Sequence, residues 1–531
     1  MEIFESFKKT FLFIFIVIFP LTIITLGFSN FFEKEGNLGE LKEKYSRKKI
    51  SSVDHSKFEI LQKDFKDPHE VTAACLSCHT ERGKELMSTA HWNWEREEYI
   101  EGRGITYLGK KNLINNFCTG IMSNEPSCNK CHAGLGWTDK NFDFNNQLNI
   151  DCLVCHDKTG TYEKATGMGG HPPVGEEAPD YKNIVANVGR PMKHNCGYCH
   201  FNGGGGNNVK HGDLETALLN CDRNVDIHMA KDGLDMNCVD CHPAENHQVR
   251  GKYYAVSSSN KNRTYCTDCH NPAPHKQQIL NEHTIKVDCR TCHIPHYAKV
   301  NPTKLYWDWS TAGAIKDGEG YSVKDSLGRE VYTSKKGTFI WGTNVQPEYV
   351  WFNGTADHFL ITDKIEKDTI NINTLFGSYD DPNSKIIPIK IHRGKQPYDL
   401  KYKTLLQAKL WATEKGEGAF WIDLNWDIAL KIGMEYVGLP FSGQYGFINT
   451  KAYLPVSHMV SKSEDAVSCR ECHNRNNSRL KNVPGVYIPA TSYKKNINMA
   501  GTALMLLSLL GVLGHAALRI RASYKRKKLS I

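Results

Sequence analysis

Eight copies of Cys-x-x-Cys-His run through this chain, and a chain that carries them must fold around something other than its own side chains. They are Cys75-Cys78-His79, Cys128-Cys131-His132, Cys152-Cys155-His156, Cys196-Cys199-His200, Cys238-Cys241-His242, Cys266-Cys269-His270, Cys289-Cys292-His293 and Cys469-Cys472-His473. The spacing is that of c-type haem attachment: both thiols bond to the macrocycle, and the adjacent His takes one axial position on the iron. With 18 Cys and 23 His in 531 residues, chance supplies roughly 0.03 copies of such a motif. Structural zinc sites do not need a His directly after the second Cys each time, and disulfides need no His at all. The expected cofactor is eight covalently bound haem c.

Apolar residues make up only 40% of the chain. Each macrocycle is itself a large apolar plate, so less side-chain core is required. The expected fold is mainly α with little regular structure: a multihaem body, a small α+β region and a membrane helix at each end. The motifs from Cys75 to Cys289 start 23 to 53 residues apart, too irregular for a solenoid of equal repeats and short enough to keep neighbouring haems close.

Two apolar runs lie near the ends. Residues 11–28 follow Lys8 and Lys9, are interrupted by Pro20 and end without a small-residue cleavage site, so an uncleaved anchor is favoured over a signal. Residues 499–518 are long enough to span a bilayer and precede Arg519, Arg521, Lys525, Arg526, Lys527 and Lys528. That basic tail belongs on the cytoplasmic side and the haem segment on the other, in the oxidising compartment. The tail carries most of the net charge of +8. Haem propionates would make the body acidic, so no nucleic-acid partner is expected. The expected division is an anchor or signal over 1–32, a stalk over 33–70, a seven-haem core over 71–300, an α+β region over 301–460, an eighth haem segment over 461–490, a transmembrane helix over 497–518 and a cytoplasmic tail over 519–531. Within the α+β region, residues 338–341, 349–352, 359–362 and 386–391 read as strands, and 405–413 and 426–437 as helices.

A haem with His in both axial positions moves electrons; an open or displaceable position admits substrate. The proximal ligands are His79, His132, His156, His200, His242, His270, His293 and His473. The preferred distal ligands are His91, His228, His247, His275, His283 and His458, which stand near motifs or in the turns between them. His211, His171 and His392 are held in reserve, and His55 and His515 rank last. Lys210 follows four glycines (Gly203 to Gly206) that let the backbone lie against something large. A lysine amine can ligate iron if burial keeps it neutral; a solvated loop lysine is the alternative.

From Val71 to Arg479 the chain resembles the octahaem tetrathionate reductases. The likeness lies in the order of the motifs and in Asp151–Tyr162 (DCLVCHDKTGTY), Gly203–Leu214 (GGGGNNVKHGDL), Asp226–Met229, Cys289–Pro295, Trp307–Gly313 (WDWSTAG), Trp351–Gly354 and Cys469–Asn474. The resemblance implies that Lys210 is the distal ligand of the second haem, that His132 is its proximal ligand and that this haem is the catalytic site. It also implies a cysteine nearby, for which Cys118 is the candidate, with a Cys118–Cys221 disulfide as the alternative. The family has an acidic residue three positions before the lysine; here that position is Asn207, which puts proton delivery in question. The function so implied is reduction of tetrathionate, nitrite or hydroxylamine outside the cytoplasm, with electrons from a membrane quinol-linked or soluble cytochrome. The alternatives are a non-enzymatic electron conduit, or oxidation of hydroxylamine or a sulfur compound.

Overall fold

The computed structural model describes residues 53–252, 254, 257–474, 476–486, 488 and 495–529. The apolar run at 11–28 and the first part of the expected stalk lie outside the described residues.

Between Pro68 and His293 the helices are short, and each haem motif sits on or beside one. Cys at i and i+3 with His at i+4 needs about one helical turn to put all three on one face. Helix α1 (Pro68–Cys78) shows how such a turn is started: Pro68 occupies its first turn and the Asp67 carboxylate accepts the N–H of His69. Its last turn carries Cys75 and Cys78. Helix α2 (Lys193–His200) carries the fourth motif, and single turns at Leu153–His156, Cys238–Cys241, Cys289–His293 and Cys469–Cys472 serve others. Residues 53–70, expected to belong to a stalk, instead join the body. Leu61 and Phe65 are buried with Val71, Leu153, Tyr181 and Ile184, an apolar pairing that outweighs the charged composition around them.

The region beyond residue 300 holds more sheet than the expected small α+β region. Eight strands form one mixed sheet: β1 (Thr303–Asp308), β2 (Ser322–Lys324), β3 (Glu330–Thr333), β4 (Gly337–Gly342), β5 (Glu348–Phe352), β6 (Thr369–Asn371), β7 (Lys385–Asp399) and β8 (Tyr445–Pro455), in the order β6-β8-β7-β1-β4-β3-β2 with β5 also on β7. The long strand β7 is its spine. It pairs antiparallel with β8 from Ile389 to Asp399, antiparallel with β5 over Lys385 to Ile389, and parallel with β1 around Gly394. Most of β7 is buried on both faces, which accounts for its apolar stretch Ile386 to Ile391. Helix α3 (Trp426–Tyr436) packs Leu430 and Met434 into a core with Trp307, Trp309, Phe339 and Leu406.

Two expected elements differ. Residues 405–413 are not helical: Leu405 bridges Tyr398, residues 405–408 are all buried, and from Ala408 to Ala412 buried residues alternate with the partly exposed Lys409 and Trp411, the alternation of an extended chain. Residues 359–362 lie just past a short strand, Ala356–His358, in a turn. At the C-terminus helix α4 (Lys495–Leu529) contains one apolar stretch, Asn496–Arg526, long enough to cross a membrane. Among the described residues it is the one such helix.

Candidate functional site

Seven of the eight motif histidines face a second histidine across a nearly constant gap. The ring centroids are 6.3 Å apart for His79 and His55 and 6.4 Å for His156 and His247. They are 6.4 Å apart for His200 and His91, 6.2 Å for His242 and His458, and 6.0 Å for His270 and His228. His293 with His275, and His473 with His283, both measure 6.2 Å. Two metal–imidazole bonds of about 2 Å, extended by the two ring radii, give a separation of about 6 Å. The gap is therefore wide enough for one metal ion between each pair of rings.

The second nitrogens fit the same use. Nδ1 of His156 bonds the Gly189 carbonyl at 2.8 Å and that of His242 the Arg250 carbonyl at 2.8 Å. On the distal side, Nδ1 of His55, His247, His283 and His458 bonds the Val53 carbonyl, Glu85, the Ile279 carbonyl and Asp213. Tying down Nδ1 orients the ring and leaves Nε2 for a metal. Burial lowers the pKa of His91, His156, His242 and His293, and takes His200 to about 3, so these rings keep a lone pair. His458 moves the other way: burial pulls it down, but the bonded Asp213 carboxylate raises it overall.

The six preferred distal candidates all stand opposite a motif histidine. His55, ranked last, stands opposite His79; it comes from the segment read as stalk, and nothing local in its sequence marked it. Of the reserves, His171 lies 5.9 Å from His69 and His392 lies against Phe117 at 4.1 Å. His211 is buried, and its surroundings include Asp213, Lys210, His200 and Lys390.

His132 is the motif histidine whose recorded ring contacts include no histidine. Trp92, Trp94, Trp137, Phe142 and Phe144 surround it. Its Nε2 lies 2.8 Å from the Trp92 carbonyl, and its Nδ1 is buried without a partner, an arrangement a metal ligand would relieve. Lys210 interacts electrostatically with Cys131 of this motif and with Cys118. Burial brings the Lys210 ammonium down to about 8, so roughly a tenth is neutral amine at pH 7, far more than for a solvated lysine. Its loop is held from both sides. Gly204 takes φ +80°, which L side chains rarely adopt, and a Cβ there would sit 3.0 Å from Val209 and 3.3 Å from Phe117. The buried Lys390 on β7 donates to the carbonyls of Val209 and Lys210 and to the Thr303 hydroxyl, at 3.0, 2.8 and 2.5 Å.

Basic side chains whose charge is opposed by burial gather around Lys210. Lys304 on β1 sits 3.4 Å from the Phe339 ring centre and 4.0 Å from that of Trp307; burial, then Lys336, lowers it to about 7. His392 is held as an uncharged ring by burial and by Lys390, Lys304 and Lys210, with Asn116 donating to its Nδ1 at 3.0 Å. The sequence offered one cue to these residues: Lys390 interrupts the apolar run of β7.

Cys118 is buried near Lys210. Its thiol is raised by burial, against Lys336, Lys304 and Lys210. Cys118 and Cys221 are both free thiols, in separate cores, so the disulfide alternative does not hold here. The Asn207 side-chain Oδ1 accepts the backbone N–H of Thr216 at 2.9 Å, a loop-closing contact.

Motif thiols also meet across motifs. The sulfur of Cys75 lies beside that of Cys152, Cys131 beside Cys199, Cys196 beside Cys238 and Cys266 beside Cys289. Electrostatic contacts link Cys155 with Cys196, Cys241 with Cys269 and Cys292 with Cys472. The motifs thus connect in the order first, third, fourth, fifth, sixth, seventh, eighth, and the second joins at the fourth.

Residues 304–476 match the family described as bacterial cytochrome c, and residues 222–294 match cytochrome c7 and related cytochromes c. An uncharacterised protein of Archaeoglobus fulgidus is 26% identical over 40% of this chain and 85% of its own. The crystal structure of an octahaem cytochrome c from Shewanella oneidensis is 40% identical, with a TM-score of 0.75 over 84% of this chain and 97% of that one.

Proposed function

The chain belongs to the multihaem c-type cytochromes and carries covalently bound haem c, and on that footing we propose that it reduces a small inorganic anion at the haem attached to Cys128 and Cys131. In this reading the eight motifs bind eight haems, seven of them between the histidine pairs described above. The eighth is held by His132 and Lys210. That haem supplies electrons and one exchangeable coordination position.

The chain's own residues do the rest. Lys210 offers an amine that leaves more readily than imidazole and, once protonated, becomes a hydrogen-bond donor beside the vacated position. Lys304 supplies positive charge in an aromatic enclosure where few waters screen it. Lys390 keeps the Lys210 loop in place. Cys118, its thiol protonated, offers a weak donor. Tetrathionate and nitrite, both anions, suit this environment better than hydroxylamine. The membrane helix α4, with its basic end inside, would hold the body on the extracytoplasmic face, where a quinol-linked or soluble cytochrome delivers electrons to the chain of haems.

The observation that carries the proposal is the contrast between seven histidine pairs and one motif histidine near a half-buried lysine. Electron paramagnetic resonance with added nitrite or cyanide tests it: one haem in eight should exchange its ligand, and Lys210→His should abolish the exchange. Eight inert low-spin haems in the wild type would sink it and leave the electron conduit. The conduit draws support from Asn207, which is amide where the resembling family has a carboxylate.

A further inference from the structure

An additional histidine pair contains no motif histidine. His69, in the first turn of α1, and His171 lie with ring centroids 5.9 Å apart, the spacing of the seven pairs above. Neither ring stands opposite a Cys-x-x-Cys-His histidine in the recorded contacts, so c-type haem does not account for this pair. A carboxylate completes the group: one ligand atom from each of Asp67, His69 and His171 lies within 4.8 Å of the other two. Two histidines and a carboxylate suit a borderline divalent cation such as Zn²⁺.

The ligands are already oriented. His171 Nδ1 bonds the Pro172 carbonyl at 2.7 Å, which leaves its Nε2 for an ion. His69 Nδ1 lies 2.6 Å from Asp67 Oδ1, so a single proton separates nitrogen and carboxylate. Asp67 and His69 are partly exposed, and an ion can enter from solvent. The backbone at both ends is fixed. Asp67 caps α1, which carries the first haem motif. His171 closes a loop in which Ala165 donates to the His171 carbonyl and His171 to that of Met168. Gly169 of this loop donates to the Pro126 carbonyl and accepts from Trp137, and Gly170 packs against the backbone of Asn129, between the cysteines of the second motif.

We propose that Asp67, His69 and His171 bind one divalent transition-metal ion of the zinc type, and that this ion clamps the first-motif helix to the loop bracing the second motif. The site is independent of the Lys210 chemistry. Untagged, full-length holoprotein in detergent is stripped with chelator, equilibrated with Zn²⁺ and assayed for zinc per chain. The wild type should hold one zinc and gain thermal stability from it. His171→Ala should hold none and gain nothing, while its haem spectrum stays that of the wild type. Asp67→Asn keeps the helix cap and should weaken zinc binding by at least about tenfold. A wild type that takes up no zinc, or a His171→Ala protein that takes up as much as the wild type, would overturn the assignment and leave a histidine–carboxylate contact that merely pins the loop.

Discussion

The sulfur of Cys131 in the second motif and that of Cys199 in the fourth lie side by side. The chain from Cys131 to Cys199 is thereby folded so that the Lys210 site branches from the fourth motif rather than following its sequence neighbours. Electrons reaching the site by the shortest thiol-to-thiol route pass the haem expected between His200 and His91.

Replacing His91 by Ala should therefore slow turnover more than it weakens substrate binding. The Lys210 site itself is untouched, so nitrite affinity measured by titration of the oxidised protein should hold while steady-state reduction falls at least about tenfold, as for a positioned catalytic group. An equal loss in both would mean that His91 supports the site's structure.

Ligand exchange at the Lys210 site should depend on pH. Burial places its ammonium at about 8, below the usual lysine range. Above that value the amine has its lone pair and competes for the metal; below it the proton wins and the position opens. Cyanide or nitrite binding corrected for the ligand's own ionisation should strengthen as pH falls through about 8, and Lys210→Ala should flatten the profile.

Lys304 should impose a second dependence. It is charged below about 7 and neutral above, because burial and Lys336 disfavour its ammonium. If it attracts the substrate anion, KM should rise as pH increases through 7. Lys304→Gln should have a KM raised roughly tenfold at pH 6 and little further change on raising the pH.

Lys390→Met should loosen the Lys210 loop. The change leaves the carbonyls of Val209 and Lys210 and the Thr303 hydroxyl without their donor, a loss of about 1–3 kcal/mol. Thermal unfolding should shift down, and the lysine-type ligand signal should broaden in the resonance spectrum while the histidine-pair signals stay sharp.

Local sequence carried much of this. Three residue types at fixed offsets state the covalent chemistry, because thiols and imidazole must sit on a single helical turn. Standing near a motif or in a short turn between motifs pointed to His91, His228, His247, His275, His283 and His458. Residues 338–341, 349–352, 386–391 and 426–437 were legible as elements from their apolar patterns. Residues 405–413 were not: Leu, Ala and Lys favour helix locally, yet backbone contacts with Asn124, Ala429 and Phe420 hold that segment extended.

Which histidine rings face one another was beyond the sequence. His55 meets His79, His458 meets His242, and Lys390 reaches Lys210 across 180 residues, contacts that no periodicity encodes. The amino-acid sequence alone determined that this chain binds haem and where each thiol attaches, because those requirements are satisfied within five consecutive residues. Only the tertiary structure decided which histidines face one another, how the second motif joins the rest and that basic side chains gather around Lys210, because each depends on packing between segments far apart in the chain.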